Sequence, residues 1–379
     1  MLSKGFEVEM YTSTPTGEVV GLSDRIVAAL SGFVREPDSR NVEYTTAPFT
    51  RYEPLIYALL QPRRRLRTYL HNLGNYTLLP GSTLPLVGQN HFVRSDPGNH
   101  YHSYIERTYG TRVVTASIHI NVGIPDPELL MRACRLIRME AALYLALSAS
   151  SPFLEGKATG SHSSRWQVFP RTPEIIPLWE SHAHFIAWTE EQLRLGTMQN
   201  VRHLWSSVRP NGSNRPHNLN RLELRICDLV SDPLALLAIT ALLETRLISL
   251  MQDPVNLDPL HASPLSLDQL AEIANQNEAA AARDSLDAEL IHWQTGSSIR
   301  ARDWIEALYS SGLPLARQQG FSCFLLPLKT LLREGNEAQR WLSHLKQGAS
   351  VTDIVVQSIE DLAALETELE RSLGLEQVA

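Results

Sequence analysis

Apolar and polar residues alternate with a period of two in three segments of the chain. These segments are GFEVEM (5–10), TASIHINVGI (115–124) and NRLELRICDL (220–229). Because successive side chains of a strand point to opposite faces of a sheet, each segment predicts a strand with one buried face and one polar face. A shorter segment at 42–46, VEYTT, predicts a fourth strand. The pattern therefore predicts a sheet that packs against a core on one side only.

Helical periodicity predicts most of the remaining elements. The predicted helices cover Ser23–Phe33, Pro62–Leu73, Pro127–Ser148, about 233–251, Leu267–Arg283, Ile299–Ser311 and Thr352–Leu373. Two-sided strands separated by long connections are typical of an antiparallel sheet with helices on one face. We therefore predict an α+β fold and a single domain over 1–379, with a sheet-bearing core at 1–250 and a mostly helical part at 251–379.

Glycine, serine, asparagine and proline are concentrated in three segments between these elements. The segments Gly88–His102, Gly156–Ser164 and Pro210–Asn218 predict loops. The second and third flank candidate functional residues, so they are either lids over a site or ordinary surface loops.

Composition and charge exclude several classes of protein. The chain has 379 residues, of which 43% are hydrophobic and 20% charged, and its net charge of −7 argues against general nucleic-acid binding. Its start resembles no signal peptide, and its longest apolar stretch, about 233–243, is shorter than a bilayer span. Three separated cysteines suit a reducing compartment. We therefore expect a cytoplasmic protein, monomeric or homodimeric, with no membrane or nucleic-acid partner.

The polar faces of the predicted strands carry an unusual set of ionisable side chains. The set consists of Glu7, Glu9, Glu43, His119, Glu223 and Arg225, with Glu36 and Asp38 shortly before Glu43. If the strands are neighbours, several carboxylates share one surface and repel each other unless cations neutralise them. Oxygen-rich sites of this kind suit Mg²⁺ or Mn²⁺, and a neutral imidazole can add a nitrogen ligand. The pattern predicts a site for metal and phosphate.

Each of these residues also has a plainer interpretation. Glu7 and Glu9 alone fit a solvent-facing strand, and His119 alone fits a hydrogen-bonded sheet residue. Glu223 and Arg225 could form a surface ion pair worth only about 0–1 kcal/mol. Carboxylates that recur on three strands, with a histidine on a fourth, favour the metal site. The chain has neither a P-loop nor a GxGxxG motif that opens a helix.

Five motifs, in their order along the chain, resemble a known family of enzymes. They are GFEVEM, EPDSRNVEYTT (36–46), SIHINVG (117–123), LALSASSPFLEG (145–156) and RLELRICDL (221–229). The family is that of the carboxylate–amine ligases, which includes bacterial and plant-type glutamate–cysteine ligases, and the likeness is closest to the cyanobacterial-type branch. It extends from about Gly5 to Asp232 and is weaker beyond.

The resemblance implies a glutamine-synthetase-like fold, with a curved and mainly antiparallel sheet whose polar concave face is the active site of one catalytic domain. It also implies a reaction in which ATP, L-glutamate and L-cysteine give γ-glutamylcysteine, ADP and phosphate through a γ-glutamyl phosphate. This reaction is the first step of glutathione biosynthesis, and it would require ATP and Mg²⁺ or Mn²⁺.

Residue roles follow from the same resemblance. The implied metal ligands are Glu7, Glu9, Glu36, Glu43, His119 and Glu223, although Asp38 competes with Glu36 for its role. Arg225 would clamp the transferring phosphoryl group or the glutamate carboxylate, so that Arg225 and Glu223 form the catalytic pair. Arg165 and Arg209, expected in loops, would contact nucleotide or substrate. A ligase of this fold with another substrate, and a binding protein without catalysis, remain alternatives.

Overall fold

The fold is described from a computed structural model that covers residues 1–86 and 92–374. The predicted loop Gly88–His102 therefore lies partly outside the described residues, and its last three residues belong to a helix.

The described strands and helices alternate along the first two thirds of the chain, and helices dominate the last third. The strands are β1 (Lys4–Ser13), β2 (Phe33–Arg35), β3 (Asn41–Thr45), β4 (Thr77–Leu79), β5 (Ile118–Gly123), β6 (Phe153–Leu154), β7 (Lys157–Ala158), β8 (Val208–Asn211), β9 (Arg221–Leu224), β10 (Glu289–Ile291) and β11 (Ser298–Arg300). The helices are α1 (Ser23–Ala29), α2 (Tyr52–Gly74), α3 (His100–Tyr109), α4 (Pro127–Ser148), α5 (Ser164–Val168), α6 (His182–Leu195), α7 (Pro233–Gln252), α8 (Pro254–Leu257), α9 (Pro259–Ala262), α10 (Leu267–Asp284), α11 (Ala301–Gln318), α12 (Ser322–Leu325), α13 (Pro327–Glu334), α14 (Glu337–Lys346) and α15 (Val351–Ser372).

The main sheet of the described residues has seven strands, and its pairings are antiparallel as predicted. Its order is β2–β3–β1–β5–β9–β8, and β4 pairs with the far end of β1. The alternation of β1 places Phe6, Val8 and Met10 in the core, each at most 1% exposed. One face of the sheet is therefore apolar and the other carries the acidic residues of the same strands.

A long helix, α4, covers part of the apolar side, and a second one, α7, packs against it. Helix α4 contacts β8 and β9, and it packs against α7. Asp126 and Asp232 cap these helices and are each followed by a proline, which is favourable at a first helical turn. Helix α7 is long and apolar enough to cross a bilayer, contrary to the sequence prediction, but most of it is buried in the protein. Its burial accounts for its apolar character.

Several predicted boundaries are wrong for identifiable reasons. Helix α1 ends at Ala29, before its predicted end at Phe33, because a short connection after Ala29 leads into β2, which begins at Phe33. Helix α2 begins at Tyr52, ten residues before the predicted start, and contains Pro62 in its interior. In the C-terminal part, β10 and β11 form a hairpin that includes Ile299, which was predicted to be helical. The helix predicted to end at Ser311 continues to Gln318. The remaining predicted helices agree with the structure to within about two residues.

Candidate active site

The strand register brings the predicted acidic residues together on the polar face. Glu7 of β1 lies opposite His119 of β5, and Glu9 lies opposite Glu43 of β3. Glu223 of β9 lies opposite Asn121 of β5. Because residues two apart on a strand share a face, β1, β3, β5 and β9 present one continuous polar surface.

Two groups of three residues on this surface have the spacing of metal ligands. The first triad is Glu7, His119 and Glu223, and the second triad is Glu9, Glu36 and Glu43. Within each triad, ligand atoms lie within 4.8 Å of one another. The two triads together contain all six residues that the sequence predicted as metal ligands.

The triads are connected through β5. His119 Nδ1 lies 2.8 Å from Glu7 Oε2, and Asn121 Nδ2 donates to Glu7 Oε1 at 3.1 Å. The hydroxyl of Ser117 donates to Glu9 Oε2 at 2.9 Å and lies 3.2 Å from His119 Nε2. Side chains of β5 and of Ser117 directly before it therefore orient carboxylates of both groups.

Asp38 lies in a different environment from Glu36. The Arg40 guanidinium donates to both carboxylate oxygens of Asp38, at 2.5–3.0 Å, and both side chains are buried. Asp38 thus forms an ion pair with Arg40, whereas Glu36 lies beside Glu9 and Glu43. Of the two acidic residues, Glu36 has the position that a ligand of the second triad requires.

The second triad brings three carboxyl groups close together in a buried environment. Burial raises the pKa of Glu36 well above its usual value, and the neighbouring Glu9 and Glu43 raise it further. Burial likewise raises the pKa of Glu9 and of Glu43, and it outweighs the opposing effects of His119 on Glu9 and of a hydrogen bond with Glu36 on Glu43. A divalent cation would relieve this repulsion, and carboxylate oxygens are the ligands that Mg²⁺ and Mn²⁺ prefer. The second triad therefore fits such a cation.

Glu223 differs from the other acidic residues because its carboxylate already accepts four hydrogen bonds from protein side chains. It is fully buried and accepts two bonds from Arg209, at 2.8 and 3.0 Å, one from Asn211 at 2.6 Å and one from Arg225 at 2.5 Å. Burial raises its pKa, but Arg209 and Arg225 outweigh this effect and hold it well below the usual value. A cation at the first triad would have to replace at least one of these donors.

Of the three predicted site arginines, Arg225 makes the fewest side-chain hydrogen bonds among the described residues. It follows directly after β9, and its side chain is 12% exposed. One terminal nitrogen donates to Glu223, while its buried Nε has no partner among the described residues. Burial lowers its pKa, but Glu223, Glu7 and Glu9 raise it overall. Arg225 therefore presents a permanent positive charge with unused donors beside both triads.

Arg165 and Arg209 lie in regular secondary structure, although the sequence predicts a loop at both positions. Arg165 lies in α5 and donates to the carbonyl oxygens of Ile226 and Arg225, each at 3.1 Å. Arg209 lies in β8, and besides Glu223 it binds the carbonyl oxygens of two residues, Arg202 and Leu204. Burial and Arg225 lower the pKa of Arg209 to about 10. Both side chains act within the protein framework, and direct contact with a nucleotide remains a prediction.

Two cavities differ in their relation to this surface. One of about 480 Å³ borders Glu7, Asn121 and Arg221 at one end of the polar face. A larger one, of about 760 Å³, lies between α7 and the helices α13 to α15 and contains none of the predicted site residues. The smaller cavity is therefore the one next to the candidate site.

The family can be assigned from the sequence as a whole. A model described as glutamate–cysteine ligase family 2 matches residues 3–358. The chain belongs to this family. It is 27% identical over 367 residues to a protein of Rubrobacter xylanophilus provisionally named glutamate–cysteine ligase 2-1, covering 94% of this chain and 93% of that one. A family member from Gloeobacter violaceus with the provisional name glutamate–cysteine ligase 2 is 29% identical over 252 residues, or 64% and 63% of the two chains.

Two solved structures share the fold of this family member. A glutamate–cysteine ligase of Francisella tularensis, solved in complex with AMP, superposes with a TM-score of 0.72 at 14% identity, covering 100% of this chain and 95% of the other. A bifunctional glutathione synthetase of Pasteurella multocida superposes with a TM-score of 0.76 at 16% identity. The match covers 96% of this chain and only 52% of that protein. The predicted α+β, glutamine-synthetase-like fold is thus confirmed.

Proposed function

We propose that this family member is an ATP-dependent ligase that joins the γ-carboxyl group of L-glutamate to the amine of L-cysteine. The products would be γ-glutamylcysteine, ADP and phosphate, as in the first step of glutathione biosynthesis. The observation that supports the proposal is the presence, on one polar surface, of two triads with the spacing of metal ligands and of Arg225, whose Nε has no partner among the described residues. The family assignment supports the same reaction class.

The chemistry accounts for these residue types. A free carboxylate is a poor acyl donor, because its oxygen is a bad leaving group and its charge repels nucleophiles. Transfer of the γ-phosphoryl group of ATP to the glutamate γ-carboxylate would give an acyl phosphate, from which phosphate leaves when the amine attacks. Such a transfer depends mainly on positioning and on charge stabilisation.

The residues of the polar face would divide this work. The triads would hold Mg²⁺ or Mn²⁺, which when bound neutralises the charge of the phosphates. Arg225 would bind the transferring group through its planar donors, and Glu223 would orient Arg225. His119 and Asn121 would orient Glu7 for its ligand role.

ATP is the nucleotide that we propose, and two features support it. The cavity of about 480 Å³ next to Glu7 has a size in the range of ligand pockets. A solved ligase with the same fold contains AMP. We therefore propose that the nucleotide enters from the Arg221 end of the polar face.

A screen for ADP release tests the proposal. Purified protein is incubated with ATP, Mg²⁺ and pairs of amino acids, and the peptide product is identified by mass spectrometry. We expect ADP release that requires Mg²⁺ and glutamate, rises with cysteine, and falls strongly in Glu7→Gln.

The other outcomes distinguish the alternatives. Turnover with another amine and not with cysteine would indicate a family member of different specificity. ATP binding without ADP release for any pair would indicate a binding protein.

A further inference from the structure

A buried cluster of serines surrounds Asp228, three residues after Arg225 along the chain. The carboxylate of Asp228 accepts bonds from the backbone of Ser150 at 3.0 Å and from the hydroxyls of Ser151 and Ser163 at 2.7 and 2.8 Å. These four residues are at most 1% exposed. Because all four are buried, the cluster does not present itself to solvent, and its role is to be sought in the residues that it contacts.

Arg165 connects the cluster to the candidate site. Its guanidinium lies 3.8 Å from Asp228 Oδ1 and is 3% exposed, so Asp228 supplies its nearby counter-charge. The backbone N–H of Arg165 also donates to the Ser151 hydroxyl at 3.2 Å. Burial raises the pKa of Asp228, and Arg165 opposes this effect. Because a lone buried charge is costly, Asp228 and Arg165 stabilise each other.

The guanidinium of Arg165 in turn holds the main chain that carries Arg225. It donates to the carbonyl oxygens of Arg225 and Ile226, both at 3.1 Å. On the other side, the N–H of Arg225 donates to the Ser207 carbonyl at 2.7 Å. Strand β9 ends at Leu224, so these bonds replace the regular ladder at this position.

We infer that Asp228 and Arg165 are positioning residues, which place Arg225 for contact with the γ-phosphate of ATP. The inference rests on the proposed function, since it assigns Arg225 to the transferring phosphoryl group. It gives the buried serines of the 145–156 motif a purpose, because Ser150 and Ser151 fix the carboxylate that balances Arg165. A misplacement of about 1 Å at such a group can cost a reaction about a hundredfold.

Nucleotide discrimination tests the inference. The affinities of Mg·ATP and Mg·ADP are measured by calorimetry, since the two ligands differ only in the phosphate that Arg225 would contact. We expect the wild type to prefer Mg·ATP, and Arg225→Lys, Asp228→Asn and Arg165→Lys each to reduce this preference by about tenfold. Combining Asp228→Asn with Arg225→Lys should add less than about twofold, because both changes remove the same contact.

A matched control separates positioning from general stability. Asp258→Asn breaks another buried aspartate–arginine pair, with Arg135, away from the polar face. This variant should keep the wild-type preference for Mg·ATP. Circular dichroism establishes that each variant is folded, and Arg165→Lys decides the question if Asp228→Asn does not fold.

The contrary outcomes are distinct. The inference is overturned if the losses in the double variant are additive. It is also overturned if folded Asp228→Asn or Arg165→Lys keeps the wild-type preference for Mg·ATP. Both outcomes leave the ligase proposal intact. A wild type that does not prefer Mg·ATP would overturn it as well. If the predicted preferences hold but no amino-acid pair releases ADP, the ligase proposal fails and the positioning of Arg225 stands.

Discussion

Glu36→Gln should make the metal-free protein more stable while weakening its affinity for divalent cations. The side chain lies with Glu9 and Glu43, whose oxygens are within 4.8 Å of its own. At that distance and an effective dielectric constant of about 20, two full charges repel by about 3.5 kcal/mol. Because protonation and solvent already relieve part of this repulsion, we expect a gain of about 1–3 kcal/mol in the free energy of unfolding.

The gain should depend on pH in a defined direction. The folded-state pKa of Glu36 is raised, so the folded protein holds a proton that the unfolded chain releases. The stability of the wild type therefore falls as pH rises from the unfolded pKa through the folded pKa. Glu36→Gln should remove the share of this decline that Glu36 causes, so the two proteins differ most above the raised pKa and least below the ordinary value.

Urea unfolding with a chelator, at several pH values between about 5 and 9, measures this difference. Asp38→Asn is the matched control, because Asp38 neutralises the buried Arg40 and its loss should cost about 3 kcal/mol. Adding Mg²⁺ should stabilise the wild type at high pH more than Glu36→Gln. The reasoning is refuted if Glu36→Gln destabilises the protein as Asp38→Asn does, or if its effect is independent of pH.

Three further predictions concern the rest of the polar face. Glu223→Gln should lower the free energy of unfolding by about 3–5 kcal/mol, because Arg209 and Arg225 lose a buried partner. Glu7→Gln should lower it by less than about 1 kcal/mol, because Glu7 is partly exposed. Equal losses in urea unfolding would contradict this difference. Arg225→Lys should remain folded and reduce kcat by about a hundredfold, since a point charge does not reproduce the planar donors; steady-state kinetics with near-native turnover would assign Arg225 a structural role. Mg²⁺ affinity should increase as pH rises above the ordinary carboxyl pKa, because the second triad has raised pKa values and must lose protons to bind a cation. A flat calorimetric profile would argue against this ligand set.

The shared face of the acidic residues was predictable because strand geometry is simple. In a strand, the parity of a residue decides its face, so Glu7, Glu9 and Glu223 could be placed without knowledge of the fold. Glu36 lies beyond the end of β2, where alternation carries no information. The choice between Glu36 and Asp38 depended on the Arg40 ion pair, which the sequence does not reveal.

The surroundings of Glu223 were missed for a different reason. Its partner Arg209 lies in β8, a four-residue strand at the edge of the sheet that contains Pro210. Proline is tolerated at sheet edges, but in a short segment it favours the prediction of a loop. Asn121 and Asn211 also orient carboxylates, and of these only Asn121 carried a signal, because it follows the alternation of β5.

Helix boundaries show how tertiary contacts override local signals. Proline is favourable in a first helical turn, so Pro62 predicted the start of a helix. Helix α2 nevertheless continues through it, and Tyr52, Leu55 and Leu59 of the preceding turns are buried in the core. The apolar contacts of these turns offset the local cost of the proline.

The most direct test of the proposed reaction follows one oxygen atom. Glutamate labelled with ¹⁸O in its γ-carboxylate is incubated with the protein, ATP, Mg²⁺ and cysteine, and the released phosphate is analysed by mass spectrometry. Formation of a γ-glutamyl phosphate predicts the transfer of one ¹⁸O atom to each phosphate, in step with γ-glutamylcysteine. Phosphate that carries no label while peptide accumulates would contradict an acyl-phosphate ligase at this site.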